Sequence, residues 1–408
     1  MKYVKFARCI DCGAEIEAVP TLTVCPRCGG LTDIVYDYGA IRADLTAEVL
    51  AGREEKTIWR YRELLPVEEE TALRMAKEGL RVGNSPLYNA PALAAELGIR
   101  QLYIKDDGQN PSSSAKDRAS AMGVAKALEA GSKVVACAST GNAASSLAAN
   151  ATRAGLESYI FVPERAPKGK IAQLRIFGAH VFCVKSDYAA THRLAQAAIE
   201  KYGWFNRNCA VNPYLMEGKK TVSLEIAEQL RYTAPDFVAV SVGDGCTIAG
   251  VWKGLKEMHA LGLLDRLPRL IAVQAEGCCP LVKAYKNNTD WVPEEENTLA
   301  DSIAVGEPGN PKKALAAMRE SGAVAVTVTD EEILDAMRLL GRTEGVFGEP
   351  AGVAALAGVR KARQDGDIPF DCSVVYICTG NGLKDTANGI LAAGEPEYIE
   401  PTLDALPF

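Results

Sequence analysis

Four short stretches carry residue types that could do chemistry together. A single lysine, Lys116, stands in the small-residue run GQNPSSSAKDRAS that follows the apolar segment QLYIKD. Ser139-Thr140-Gly141-Asn142 follows KVVACA, Gly243-Asp244-Gly245-Cys246-Thr247 follows FVAVSV, and Thr379-Gly380-Asn381-Gly382 follows VVYIC. Taken singly, each has an ordinary explanation. A Gly-rich strand-to-helix turn is often only a tight turn, and a lysine near a helix start usually faces solvent. The GxG at 243–245 lacks the GxGxxG spacing and acidic partner of a dinucleotide site. Together, the four favour one phosphate-bearing cofactor and one amine able to attack an aldehyde.

A second constellation is made of thiols. Cys9-Ile10-Asp11-Cys12-Gly13 and Cys25-Pro26-Arg27-Cys28-Gly29 form two CxxC turns separated by twelve residues. Each turn points two thiolates at one centre, and four thiolates suit tetrahedral zinc with no open coordination position. A relic that has lost its metal and a redox dithiol are the alternatives. The latter needs a CxxC opening a helix in a βαβ unit, which this segment lacks. Cys137, Cys183, Cys209, Cys246, Cys278, Cys279, Cys372 and Cys378 fall mostly in strand-like segments and read as small core residues. The three histidines, His180, His192 and His259, stand in no HExxH or nucleophile motif. They read as structural, leaving acid–base work to lysine, carboxylate or a cofactor.

The elements that must position these residues alternate. After a small ribbon (1–40) and a charged, helix-like connector (41–82), short apolar runs recur from residue 83 onward: QLYIKD, KVVACAST, SYIFVPE, HVFCVK, FVAVSVG, LIAVQAEG, AVAVTVTD and VVYICTGNG. Amphipathic stretches such as RASAMGVAKALEAG separate most of them. Continuous apolar strands with intervening helices predict an α/β fold of parallel sheets covered on both faces. Ligands of such sheets bind at the carboxyl ends of the strands, where the four stretches lie. Residues 282–312 read as a surface excursion returning to the site.

The chain has 408 residues, 48% hydrophobic and 24% charged, with a formal net charge of -7. That balance argues against nucleic-acid binding, which draws most of its affinity from basic surface. No apolar run reaches the ~18 residues of a membrane span, and MKYVKFARCIDCG lacks a secretory h-region. A cytoplasmic enzyme acting on a small molecule is expected.

These motifs, in this order, resemble the fold-type II (tryptophan synthase β-like) family of pyridoxal-phosphate enzymes, and within it the threonine synthases. The resemblance spans most of residues 1–390: GNSPL at 83–87, NPSSSAKDR, STGNAASSLAA, GKIAQLRIFGA, NPYLMEGKKT, VGDGCTIAGVWKG, VQAEG, GVFGEPAGVAALAG and TGNGLKD. It implies two αβα domains behind a four-cysteine zinc ribbon, a large one (83–117 and 216–408) and a smaller mobile one (118–215), in a homodimer. Lys116 matches the lysine that binds the cofactor covalently and moves the Cα proton. Gly243, Asp244, Gly245, Cys246 and Thr247 match the phosphate loop, and Asn142 the asparagine on the cofactor's 3-oxygen. Thr379 matches the hydroxyl facing the pyridine nitrogen. A neutral donor there leaves the ring a moderate electron sink, which favours elimination and replacement. Ser139, Thr140 and Gly141 match the loop receiving the substrate carboxylate.

The implied activity is loss of phosphate from O-phosphohomoserine and addition of water, giving L-threonine. The alternatives are a related lyase or synthase acting on another amino acid (an ammonia-lyase or a cysteate-synthase-like enzyme) and, more remotely, a non-catalytic binding protein. Two departures bear on the substrate. Ser114-Ala115 replaces the family's Ser-Phe, and Leu215 stands where threonine synthases commonly carry the arginine that grips the substrate phosphate. Either Lys219, Lys168 or Lys170 rebuilds that pocket, or Leu215 faces the leaving group and the pocket is apolar.

Overall fold

A computed structural model describes residues 1–166 and 168–408. Three strands, β1 (Val4–Cys9), β2 (Glu15–Ile16) and β3 (Thr32–Tyr36), form an antiparallel ribbon in the order β2-β1-β3. The connector folds into short helices around the buried turn Ile58–Leu64.

The remaining strands make two sheets. One has six: β4 (Leu87–Asn89), β5 (Gln101–Asp106), β10 (Phe237–Ser241), β11 (Arg269–Ala275), β12 (Val324–Val328) and β13 (Ser373–Cys378), in the order β12-β11-β10-β13-β5-β4. The other has four: β6 (Val134–Ala138), β7 (Glu157–Pro163), β8 (His180–Val184) and β9 (Phe205–Asn206), in the order β8-β7-β6-β9. The smaller sheet is entirely parallel. The larger departs from the parallel expectation at one edge, where β4 runs antiparallel to β5. All five residues of β10 and all six of β13 are buried, as strands covered by helices on both faces must be.

The helix Pro213–Gln229 lies at the centre. Asn212 caps it, its side-chain oxygen accepting from the Tyr214 N–H at 3.0 Å, and Pro213 takes the first turn, where no N–H is needed. It is buried on nearly every side. A side chain at Gly218 would put its Cβ 2.2 Å from the Arg118 carbonyl oxygen, so only glycine lets it approach the helix Lys116–Glu129 this closely.

Buried charges tie the ribbon to this helix. Tyr36 donates to Glu217 at 2.7 Å, and Lys253 reaches Glu217 at 2.6 Å and Asp33 at 3.0 Å. Lys220 pairs with both Glu217 and Glu257. Unpaired, any of these charges would be costly so far from water.

Two expectations for single residues need correcting. Cys183 is exposed on edge strand β8, and Cys209 is half-buried rather than packed in a core. Among the described residues, no helix is long and apolar enough to cross a membrane.

Candidate active site

The carboxyl ends of β5, β6, β10 and β13 open onto one two-chambered cavity. Lys116, Asn142, Lys219 and Asp244 stand where the chambers meet. The inner chamber is lined by Gly243–Thr247, Thr379 and Glu349, the outer by Ser139, Thr140, Gly141, Arg207 and Cys209. All the chemistry-bearing stretches of the 83–408 region therefore converge.

Lys116 is the first residue of its helix. The loop before it is pinned to the end of β13: Ala115 N–H donates to the Thr379 carbonyl at 2.8 Å and Asn381 N–H to the Ser113 carbonyl at 3.0 Å. Asp117 accepts from Ser112 N–H at 2.7 Å and from the Asn150 amide at 2.9 Å, locking the loop to the helix Asn142–Arg153. The Lys116 amine itself has no hydrogen bond or ion pair among the described residues. Burial, with the nearby charge of Lys219 next in weight, pushes its pKa down to about 8. Removing solvent penalises the ammonium form, and a second cation adds to that penalty.

The inner chamber is built to accept an anion. Gly245 caps the helix Cys246–Ala260 with φ +88° and no side-chain cap. The N–H groups of Cys246, Thr247 and Ile248 therefore point out of the helix start without intrahelical acceptors. The Asp244 carboxylate is engaged elsewhere: one oxygen accepts from Gly309 N–H at 2.6 Å, the other from the Cys246 thiol at 3.2 Å. The Thr379 hydroxyl has no hydrogen bond among the described residues and lines the chamber beside Lys116. An amide cradle, a free hydroxyl and an unpaired low-pKa amine fit pyridoxal phosphate's phosphate, ring nitrogen and aldehyde.

Several wall residues escaped the sequence reading. Glu349 is buried, its carboxyl raised by desolvation, and it accepts from the Asn142 amide at 2.8 and 3.1 Å through its two oxygens. It lies inside the quoted GVFGEPAG motif, which was the available signal. His192, read as structural, lines the outer chamber, with its Nε2 3.1 Å from the Asn208 amide; His180 and His259 are exposed. Arg207 follows β9, a strand of two residues that no periodicity could reveal. Leu215 does not reach the cavity. It is 0% exposed and packs against Gly123 of the helix Lys116–Glu129. Lys170 pairs with Asp301 at 3.1 Å, joining the helix Lys168–Ile176 to the excursion, which does return to the site through Ser302 and Ile303.

In the ribbon, the Cys9, Cys12, Cys25 and Cys28 sulfurs all lie within 4.8 Å of one another, with 3.5 Å between Cys9 and Cys28 and 3.8 Å between Cys12 and Cys25. Tetrahedral zinc with ~2.3 Å Zn–S bonds requires S···S edges of ~3.8 Å, so the donor set fits that ion.

Residues 79–380 match the family model described as "Pyridoxal-phosphate dependent enzyme". The chain is 40% identical over 402 residues to a threonine synthase of Methanosarcina acetivorans, covering 98% of this chain and 97% of that one. It is 41% identical over 403 residues to a threonine synthase of Methanocaldococcus jannaschii, covering 98% of each. Among solved structures, diaminopropionate ammonia lyase from Escherichia coli aligns with TM-score 0.68 at 19% identity, over 79% of this chain and 90% of that one. At such identity the likeness speaks to the fold alone.

Proposed function

We infer, for a chain that belongs to the pyridoxal-phosphate dependent enzymes and within them to the threonine synthases, that it converts O-phosphohomoserine and water to L-threonine and phosphate. The observation that carries the reading is the half-buried, unpaired Lys116 amine, which shares one cavity with an amide cradle. Pyridoxal phosphate, when bound, supplies the electron sink for elimination and water addition.

The chain's own residues supply binding, orientation and proton movement. Gly243, Gly245, Cys246 and Thr247 would hold the cofactor phosphate, with Asp244 shaping the loop through Gly309. Thr379 would donate to the ring nitrogen, and Asn142, steadied by Glu349, would address the 3-oxygen. Lys116 would hold the aldehyde and, once released, take the Cα proton. An amine with a pKa of about 8 is well matched to giving and taking protons near neutrality. Ser139, Thr140 and Gly141 would receive the substrate carboxylate, and Lys219, between the chambers, would face its phosphate. The apolar-pocket alternative loses its support, because Leu215 is turned into the core.

The test is product analysis. Purified holoenzyme given O-phosphohomoserine should release threonine and phosphate in equal amounts. Keto acid and ammonia from serine or threonine, without threonine synthesis, would assign a different lyase.

The reading extends to one structural zinc on Cys9, Cys12, Cys25 and Cys28, supported by the sulfur spacing. It also extends to a small mobile unit (118–215) hinged on a larger one (83–117 and 216–408), and to a cytoplasmic homodimer.

A further inference from the structure

Among the described residues, the outer-chamber cations Arg207 and Lys219 have no carboxylate partner. Arg207 is 3% exposed. Its Nε and Nη2 donate to the Ser120 hydroxyl at 3.2 and 3.0 Å, and its Nη1 donates to the Cys209 sulfur at 3.3 Å. A guanidinium has five N–H groups in a planar fork. Three are used among the described residues, and one on each terminal nitrogen has no partner there. Lys219, 6% exposed, has no hydrogen bond or ion pair among the described residues. Both side chains line the outer chamber with Lys116.

A buried guanidinium without a counter-charge is destabilising, so its presence here points to an anion arriving from outside. The carboxylates sharing the chamber are engaged. Asp244 holds Gly309 and Cys246, Glu296 accepts from Gly306 N–H at 3.0 Å, and Asp301 pairs with Lys170. The local field is positive: burial would raise the Cys209 thiol, yet the charges of Arg207, Lys219 and Lys116 bring it below its ordinary value.

The arrangement also distinguishes two anions. The amide cradle belongs to the inner chamber, which Arg207 does not line. Arg207 is anchored on Ser120, four residues after Lys116 and therefore on the same helix face, one turn along. Ser120 is itself held by Ser146 at 2.6 Å, so the fork is fixed in direction and close to the reacting amine.

We propose that Arg207 is the specificity residue that recognises the phosphate of the phosphoamino-acid substrate, through two parallel N–H···O bonds, with Lys219 completing the charge. This rests on the function inferred above and deepens it. It explains how a threonine synthase cavity recognises phosphate with leucine at position 215: the guanidinium enters from the end of β9 instead of from the central helix. Arg–phosphate forks of this kind add geometric specificity to charge.

The test compares wild-type holoenzyme with Arg207→Gln and Arg207→Lys. For Arg207→Gln, the KM for O-phosphohomoserine and the inhibition constant for inorganic phosphate should both rise about ten- to a hundredfold, the loss of one charge-assisted contact. Arg207→Lys should recover part of it. Binding of L-threonine, which has no phosphate, should stay within about twofold when read from the cofactor's absorption; a merely structural role for Arg207 would disturb it equally. Unchanged KM and phosphate inhibition in variants of an active threonine synthase overturn the proposal and leave the function standing. A wild-type enzyme that makes no threonine overturns the function, and the proposal with it. Should both variants fail to fold, crystals of wild-type holoenzyme soaked in inorganic phosphate decide. An anion on Arg207 supports the proposal; an anion elsewhere, or none, overturns it.

Discussion

Capture of the cofactor by Lys116 should depend on pH in a way set by its surroundings. Only a neutral amine attacks an aldehyde. With its pKa lowered from 10.5 to about 8, the amine is about one-quarter neutral at pH ~7.5, against about one part in a thousand for an ordinary lysine. The fold thus raises the reactive fraction roughly 250-fold. Cofactor-free protein mixed with excess pyridoxal phosphate should show a capture rate that climbs below pH ~8 and levels off above ~9. Replacing Lys219 with methionine removes the second cause of the shift, so the bend should move to higher pH while the plateau remains. Stopped-flow absorbance across this range, followed by borohydride trapping and peptide mapping, reads both the rate and the residue labelled. A rate still rising tenfold per pH unit at pH ~10 would refute the reasoning, as would label on Lys105, Lys219 or Lys384.

Other outcomes follow from the same geometry. Gly245→Ala places a Cβ 2.6 Å from the Asn310 carbonyl at φ +88°; left-handed backbone alone costs ~1–2 kcal/mol, so equilibrium dialysis should show cofactor affinity falling about tenfold or more. Leu215→Arg should not improve phosphate recognition, because the side chain faces Gly123. Burying the charge there should cost ~3 kcal/mol or more in urea unfolding, and a lower KM for O-phosphohomoserine would contradict the packing. Metal analysis of protein purified without chelator should give one zinc per chain, and chelation should lower Tm as the ribbon loses its cross-link. Four freely titratable thiols with no metal would refute that assignment.

Short-range order was legible from residues alone. The alternation of apolar runs located every strand of the two sheets from β5 onward except β9; burial on both faces gives the inner strands such as β10 and β13 a continuous apolar signature, and the exposed edge strand β8 carries an apolar run without that burial. The lysine loop, the Gly-rich turns and the CxxC pairs were legible because their chemistry is local: a helix start, a positive φ, two thiolates on one turn. The antiparallel edge strand β4 and the two-residue β9 were not, being too short to carry a period. Distant groups were decided by tertiary structure. Leu215 looked like a hole in the substrate pocket until the central helix was seen to turn it toward Gly123. Arg207 stands in no motif of the sequence, and β9 delivers it, buried, to the wall of the outer chamber. The same side chain is solvated or poised according to which helix stands across from it, and a linear sequence does not encode that neighbour directly. Glu349 meets Asn142 across 207 residues, and Lys219 depresses Lys116 from another helix. Motif spacing therefore established which chemistry this chain carries. Packing between the sheets determined which charges are left unpaired, and so which anions the cavity is shaped to receive.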